Sequence, residues 1–181
     1  MLARVRVPVP VPVLVLLQLE LLASCNHEPE LPGRSPRARL VMLLEDPPRN
    51  LDPRFTTDAT SMRVSRLVFE SLVSVDNAQL EPAPQLATDW QADKADPAVW
   101  TVTLREGVRW HDGEPFDADD VVYTYRSVMD AAVGSPFRDP YSAHVRAVDK
   151  VDAHTVRFTL HKPYATFVTD LVLGVVPEHL V

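Results

Sequence analysis

Between Trp100 and Val128 the apolar residues change their period, and that change limits the folds open to the chain. Trp100, Val102 and Leu104 alternate with Thr101, Thr103 and Arg105, the pattern of a half-buried strand. From Ala118 onward the apolar positions are Val121, Val122, Tyr125, Val128, Met129 and Ala132, which share one face of a helix. Two elements so close in sequence, each with one apolar side, must bury those sides in a common core. The turns between them carry their own signals. "REG" turns the chain, Val108 and Trp110 suggest a second short strand, and "HDG" is a tight turn with glycine supplying the unusual backbone angle. Gly134 and Pro136 mark the end of the helix.

The flanking segments predict short mixed elements. Arg39 to Glu45 has the length and apolarity of a buried strand. Pro47, Pro48 and Pro53 then break regular structure. Thr57 or Asp58 is placed to cap a helix whose apolar face is Val64, Leu67, Val68 and Leu72. Residues 77–90 read as a turn and a proline-ordered loop. "VRAVDKV" and "TVRFTL" form a hairpin around "DAH", with Val156, Phe158 and Leu160 on one side. Tyr164, Phe167, Val168 and Leu171 predict a short helix, and "GVVPEHLV" begins a further element. Strands and helices mixed in this way, with hairpins, give an α+β class. The sequence holds no GxGxxG, no phosphate-binding loop and no CxxC.

The first residues follow different rules. Arg4 and Arg6 precede an apolar run from Val7 to Ser24 that Pro8, Pro10, Pro12 and Glu20 interrupt. A positive start and a short apolar middle make residues 1–24 a secretory signal peptide rather than a membrane span. "LASC", Leu22 to Cys25, resembles the bacterial lipobox, in which Cys25 becomes the lipidated first residue of the mature chain. Cys25 is the one cysteine in the sequence, so an exported form has no disulfide partner for it. Acyl chains on it would hold the protein at a membrane surface. Residues 25–38, rich in proline, read as a tether, and 39–181 as the folded part. The net charge is −7, and loss of the leader makes it more negative. That excludes nucleic acid as a partner, which needs clustered Lys and Arg.

His111, Asp112, Glu114, Asp117, Asp119 and Asp120 crowd into ten positions. Each acid has a local reason to be there. Asp112 precedes Gly113 in a turn, where a short carboxylate bonds the backbone. Asp117 stands at a helix start with Asp120 three residues on, the spacing of a capping box that more often carries Glu or Gln. Asp119 and Asp120 lie in the first turn, where the helix dipole favours negative charge. They point about 100° apart, so they do not converge on one ion. The alternative is a metal-dependent hydrolase, lipid-anchored, using His111, Asp112 and Glu114 at the turn. Ser135 has no motif around it, and His144 and His154 read as exposed, solvated residues near hairpins.

Three stretches together carry a resemblance: "LEPAPQLATDW", "WTVTLREGVRWHDGEPFDADDVVYTY" and "VDAHTVRFTLHKPYATF". With "NLDP" at Asn50–Pro53 and "VFESLV" at Val68–Val73, they are similar to the amino-terminal part of the extracellular solute-binding proteins of family 5. These are the dipeptide-, oligopeptide- and nickel-binding receptors of ATP-binding cassette importers. The resemblance runs from about Leu40 to Val181. It implies a periplasmic-binding-protein-like fold of type II, no catalysis and no cofactor. It makes Trp100, Leu104, Arg105, Gly107, Val108, Trp110, His111, Asp112, Gly113, Phe116, Asp117, Asp120 and Val121 a scaffold signature, with Trp100, Leu104, Val108, Trp110 and Phe116 in the core.

The resemblance further implies an exported, lipid-anchored protein on the periplasmic or extracellular face. Its partners would be a peptide or other small solute and the permease subunits of an importer. The best ligand-cleft candidates are Glu45, Asp46, Arg49 and Asn50, in the loop after the first strand. Family members are several hundred residues long, so the chain should supply the first strand of one lobe and most of an accessory domain. Either the gene is truncated or the sequence is part of a longer one. A remnant lipoprotein without transport function is a further alternative. Two expectations follow: apolar surface exposed at Val172–Val176, with self-association, and weak peptide binding by this chain alone.

Overall fold

The computed structural model describes residues 41–75 and 81–181. Residues 1–24, the lipobox with Cys25, and residues 26–38 lie outside the described residues. Among those described, no helix is long and apolar enough to cross a membrane.

The first element among the described residues is α1, Ala59–Ser65, followed by the short strands β1 (Val73–Ser74) and β2 (Ala83–Pro84), which pair antiparallel. Strands β3 (Ala87–Ala92) and β4 (Val99–Leu104) come next, then the helices α2 (Ala118–Met129) and α3 (Arg138–His144). The hairpin of β5 (Val145–Asp152) and β6 (Thr155–Leu160) leads into two 3₁₀ turns, Phe167–Asp170 and Glu178–Leu180. The main sheet has the order β3-β4-β6-β5, antiparallel throughout.

One face of this sheet is covered by α2. Val102, Leu104, Val148, Val156, Phe158 and Leu160 from the strands meet Val121, Tyr125 and Val128 from the helix, all buried. The Tyr125 ring stands edge-on to Phe158, with centroids 5.1 Å apart and planes at 88°, an arrangement that suits the ring quadrupoles. Phe167 and Leu171 close the cluster. Burying side chains of this size contributes about 1.5–3 kcal/mol each. The alternation on β4 and β6 and the helical period on α2 therefore describe two sides of one core, as the sequence implies.

Beside this core the chain is held by polar groups. Arg54 is 7% exposed. Its guanidinium donates to the Asp52 carboxylate at 2.7 and 3.0 Å, to Ser127 Oγ at 3.2 Å and to Tyr123 Oη at 3.4 Å. Its carbonyl accepts from Ser135 Oγ at 2.7 Å. Asp58 caps α1 by accepting from Ser61 N–H at 2.9 Å.

Several expectations need correction. The described part of Arg39–Glu45 forms no strand, because a strand needs a neighbour to satisfy its backbone and none lies alongside among the described residues. Helix α1 stops at Ser65 and buries Ser61 and Ser65. Leu67 and Val68 lie beyond its end, 59% and 44% exposed. The loop expected over 77–90 contains β2 and the start of β3. Val108–Trp110 is reduced to a bridge between Arg109 and Pro115. Helix α2 ends at Met129, before Ala132, and α3 had no counterpart in the sequence reading.

The last correction concerns Val172–Val176. Leu173, Val175 and Val176 are buried and Val172 packs against the core. The segment folds back: Val175 N–H donates to Glu70 O at 2.9 Å, Val176 N–H to Thr124 Oγ1 at 3.0 Å, and Gly174 bridges Ser71. The expected exposed apolar surface is absent there, and the ground for self-association goes with it.

Candidate functional site

The acidic block is shaped by two turns and a helix start. Gly107 and Gly113 have φ of 73° and 97°, angles that L side chains resist. Asp112 accepts from Glu114 N–H at 3.1 Å, closing the "HDG" turn. Asp117 accepts from Asp119 N–H at 2.8 Å, and Asp120 accepts from Asp117 N–H at 3.1 Å, a complete capping box built from two aspartates.

Asp120 is buried and fully engaged. It also accepts from Trp110 Nε1 at 3.0 Å and from Glu178 N–H at 2.9 Å. One carboxylate thus ties the indole, the helix start and the Glu178–Leu180 turn together. Lys150 reaches Asp119 at 2.6 Å and Asp117 at 3.4 Å. The hydrogen bond to Asp119 raises the Lys150 pKa. Asp112 pairs with His179 at 2.8 Å. That contact lowers the Asp112 pKa and raises that of His179. The six groups therefore face different partners. Among the described residues no set of three or more His, Cys, Asp or Glu is placed to hold a metal ion.

The remaining signature residues pack. Leu104, Phe116 and Val121 are buried, and Trp100, Val108 and Trp110 lean on the core from its edge. Arg105 donates through Nε to Gln85 O at 3.0 Å, fixing β4 to the loop before β3. His111 and Glu114 are exposed.

Concave surface lies elsewhere. A cleft of about 470 Å³ opens between α1, α3, β1 and the Phe167–Asp170 turn. His144 stacks on Tyr164 in its wall, with centroids 4.4 Å apart and planes at 14°. Tyr141 Oη donates to Asp170 O at 2.6 Å, and burial pushes the Tyr141 pKa far up, so its hydroxyl stays neutral. Burial also raises the Asp170 carboxyl, against a smaller opposing effect of His144. Ser71 Oγ lies 2.7 Å from both Val73 O and Gln85 Oε1. The volume falls in the range of small-molecule sites.

Glu45, Asp46, Arg49 and Asn50 do not line this cleft. They are exposed on a loop whose Arg49 and Asn50 N–H groups share Ser61 Oγ, at 2.9 and 3.3 Å. The two histidines read as exposed are not. His144 is half-buried in the stack, and His154 is half-buried with Nδ1 enclosed and unpaired among the described residues. No local motif pointed to the cleft, because its walls come from residues 53–75, Gln85, 137–144 and 164–174.

Comparison with known proteins connects this scaffold to others. The model of the bacterial extracellular solute-binding proteins, family 5 Middle, matches residues 81–179. The periplasmic murein peptide-binding protein MppA of Escherichia coli K12 is 32% identical over 148 residues, spanning 73% of this chain and 27% of that protein. A dipeptide-binding protein of Pseudomonas aeruginosa is 29% identical over 157 residues, spanning 76% of this chain and 29% of the relative. Among solved structures, NikZ from Campylobacter jejuni in complex with Ni(L-His) superposes with a TM-score of 0.67 at 30% identity, covering 76% of this chain and 27% of NikZ. The chain thus spans between a quarter and a third of the length of these relatives.

Proposed function

The chain belongs to the bacterial extracellular solute-binding proteins of family 5, and we propose that it serves as solute-binding component of an ATP-binding cassette importer, taking peptides. One observation carries the reading. The family match over 81–179 falls on the sheet, α2 and the returning segment, where the conspicuous acids cap, pair and pack. Relatives named for murein peptide, oligopeptide and dipeptide binding favour a peptide solute. The protein carries out no chemistry on its solute. Among the described residues no geometry favours a hydrolase, since Asp112 is held by His179 while His111 and Glu114 are exposed.

Uptake of labelled di- and oligopeptides by cells with and without the gene tests the assignment. Unchanged uptake across the series would sink it. Export and anchoring are part of the same proposal, with Cys25 as lipid carrier. Cys25→Ser should release the mature protein from the membrane fraction or block its processing, and wild-type protein free of membrane would count against the anchor. Within the binding unit, the exposed loop bearing Glu45, Asp46, Arg49 and Asn50 is proposed to approach the ligand. Glu45→Gln should then weaken peptide binding. High affinity needs the solute enclosed and its polar groups paired. A chain spanning 27–29% of its relatives' length is therefore expected to bind peptides weakly by itself. Micromolar calorimetric affinity for this chain would overturn that expectation.

A further inference from the structure

The 470 Å³ cleft has a composition that selects its occupant. Its walls include Phe69, Phe137, Tyr141 and the His144–Tyr164 stack. Aromatic faces of this kind suit an aliphatic stem ending in a cation. Its polar groups are short of donors. The Asp170 carboxylate has no hydrogen bond or ion pair among the described residues, although it is partly withdrawn from water. Ser71 has one hydroxyl proton and two acceptors at 2.7 Å. Turning the Gln85 amide so that its N–H meets Ser71 Oγ frees the proton for Val73 O, and directs the Gln85 oxygen away from Ser71, where it can accept from a ligand. Arg66 already has a partner. A carboxylate entering here would meet Glu70 and Asp170 as like charges.

We propose that this cleft is a subsite for an alkylammonium or guanidinium group, carried on a peptide side chain, with Asp170 as its counter-ion and Gln85 as a second acceptor. The proposal rests on the receptor reading and adds a charge preference to it. The titratable groups facing the cleft are Arg66, Glu70, Tyr141, His144, Tyr164 and Asp170. Because burial raises the Asp170 carboxyl, acidification neutralises it sooner than an ordinary aspartate. Cation binding therefore weakens as pH falls.

The test is an NMR shift titration of the chain with Ala-Lys-Ala, Ala-Leu-Ala and Ala-Glu-Ala, carried to millimolar peptide. Ala-Lys-Ala should bind best, with the largest shifts at Tyr164 and Thr169. Asp170→Asn should lower its affinity about tenfold, as loss of a charged hydrogen bond does, and leave Ala-Leu-Ala within about twofold. Should Asp170→Asn fail to fold, Gln85→Leu carries the same test with a smaller drop. Equal weakening of all three peptides, or binding without charge preference, overturns the subsite and leaves the receptor reading standing. Failure of every peptide to bind, together with unchanged cellular uptake, overturns both.

Discussion

Residues 99–129 and residues 44–72 belong to the same unit but are held by different forces. In the first stretch Val102, Leu104, Phe116, Val121, Tyr125 and Val128 are buried, and apolar area does most of the work. In the second the buried groups include Arg54, Thr56, Ser61 and Ser65, while Leu67 and Val68 face water. There the chain is positioned by directed contacts: a guanidinium with three partners, a helix cap and a shared serine hydroxyl. Apolar burial is non-directional and tolerates small shifts. A polar network fails once one member is lost, because the others remain buried and unpaired.

The largest effect should come from the apolar region. Phe158→Ala removes a ring that touches Tyr125 and Phe167 and should cost about 3–5 kcal/mol, read from guanidinium unfolding. A loss below about 1 kcal/mol would mean that the core is not close-packed. Arg54→Met tests the polar region. It strips Asp52, Tyr123 and Ser127 of their shared donor and should cost about 2–3 kcal/mol, since Asp52 is partly solvated. A double-mutant cycle with Asp52→Asn should show coupling, and strict additivity would refute the network.

Turn strain comes next. A Cβ on Gly113 meets nothing within 4 Å, so Gly113→Val should cost only its backbone strain, about 1–2 kcal/mol. Gly113→Asn should cost less, because asparagine tolerates left-handed angles. Equal losses in thermal denaturation would point to a clash instead. Leu67→Ser should change stability by no more than about 0.5 kcal/mol; a larger loss would place Leu67 in a core that the structure does not show.

The smallest effect concerns pH at the surface pair Asp112–His179. The His179 pKa is raised by its partner, so the contact is fully present below the ordinary histidine value near 6.5 and is lost as pH rises through the higher folded value. Asp112 is lowered, so its share is present above the ordinary aspartate value and is lost as pH falls through the lower folded one. Protection factors of the amides over Glu178–Leu180, taken relative to the base-catalysed intrinsic rate, should fall at alkaline pH, and His179→Gln should flatten that profile. An identical profile in the variant would show that Asp120, not His179, holds the turn.

The same contrast explains what the sequence disclosed. Strand β4, helix α2 and the β5–β6 hairpin were legible because each buries one apolar side, and burial imposes a period. The capping roles of Asp117 and Asp120 were legible because caps are local. Helix α1 misled because its apolar spacing continued past its end, while its buried residues are serines, of which Ser61 accepts from Arg49 and Asn50 N–H. Strand β3 hid behind Pro82 and Pro84, and its exposed Thr88 and Asp89 mask its pairing with β4. Helix α3 was obscured by Pro140 inside a seven-residue span. The cleft was invisible because its walls come from distant segments, and Asp170, His144 and Tyr164 carry no mutual spacing that marks them as neighbours.

The bridge between Ser71 and Gly174 also sets an order of events in time. A Cβ at Gly174 would lie 3.0 Å from Pro53 Cβ and 3.1 Å from Phe69 Cβ, so this backbone slots between residues that precede the whole sheet. The β5–β6 hairpin, with its short connection, can form early. The junction of Ser71 with Gly174 must wait for closure of a loop that contains every strand of the sheet. Doubling such a loop adds only about 0.6 kcal/mol of closure entropy, so distance matters little to the equilibrium. It matters to the rate, since pairings remote in sequence slow the search. A chain emerging amino terminus first therefore leaves residues 69–73 without these partners until residues 171–175 have followed.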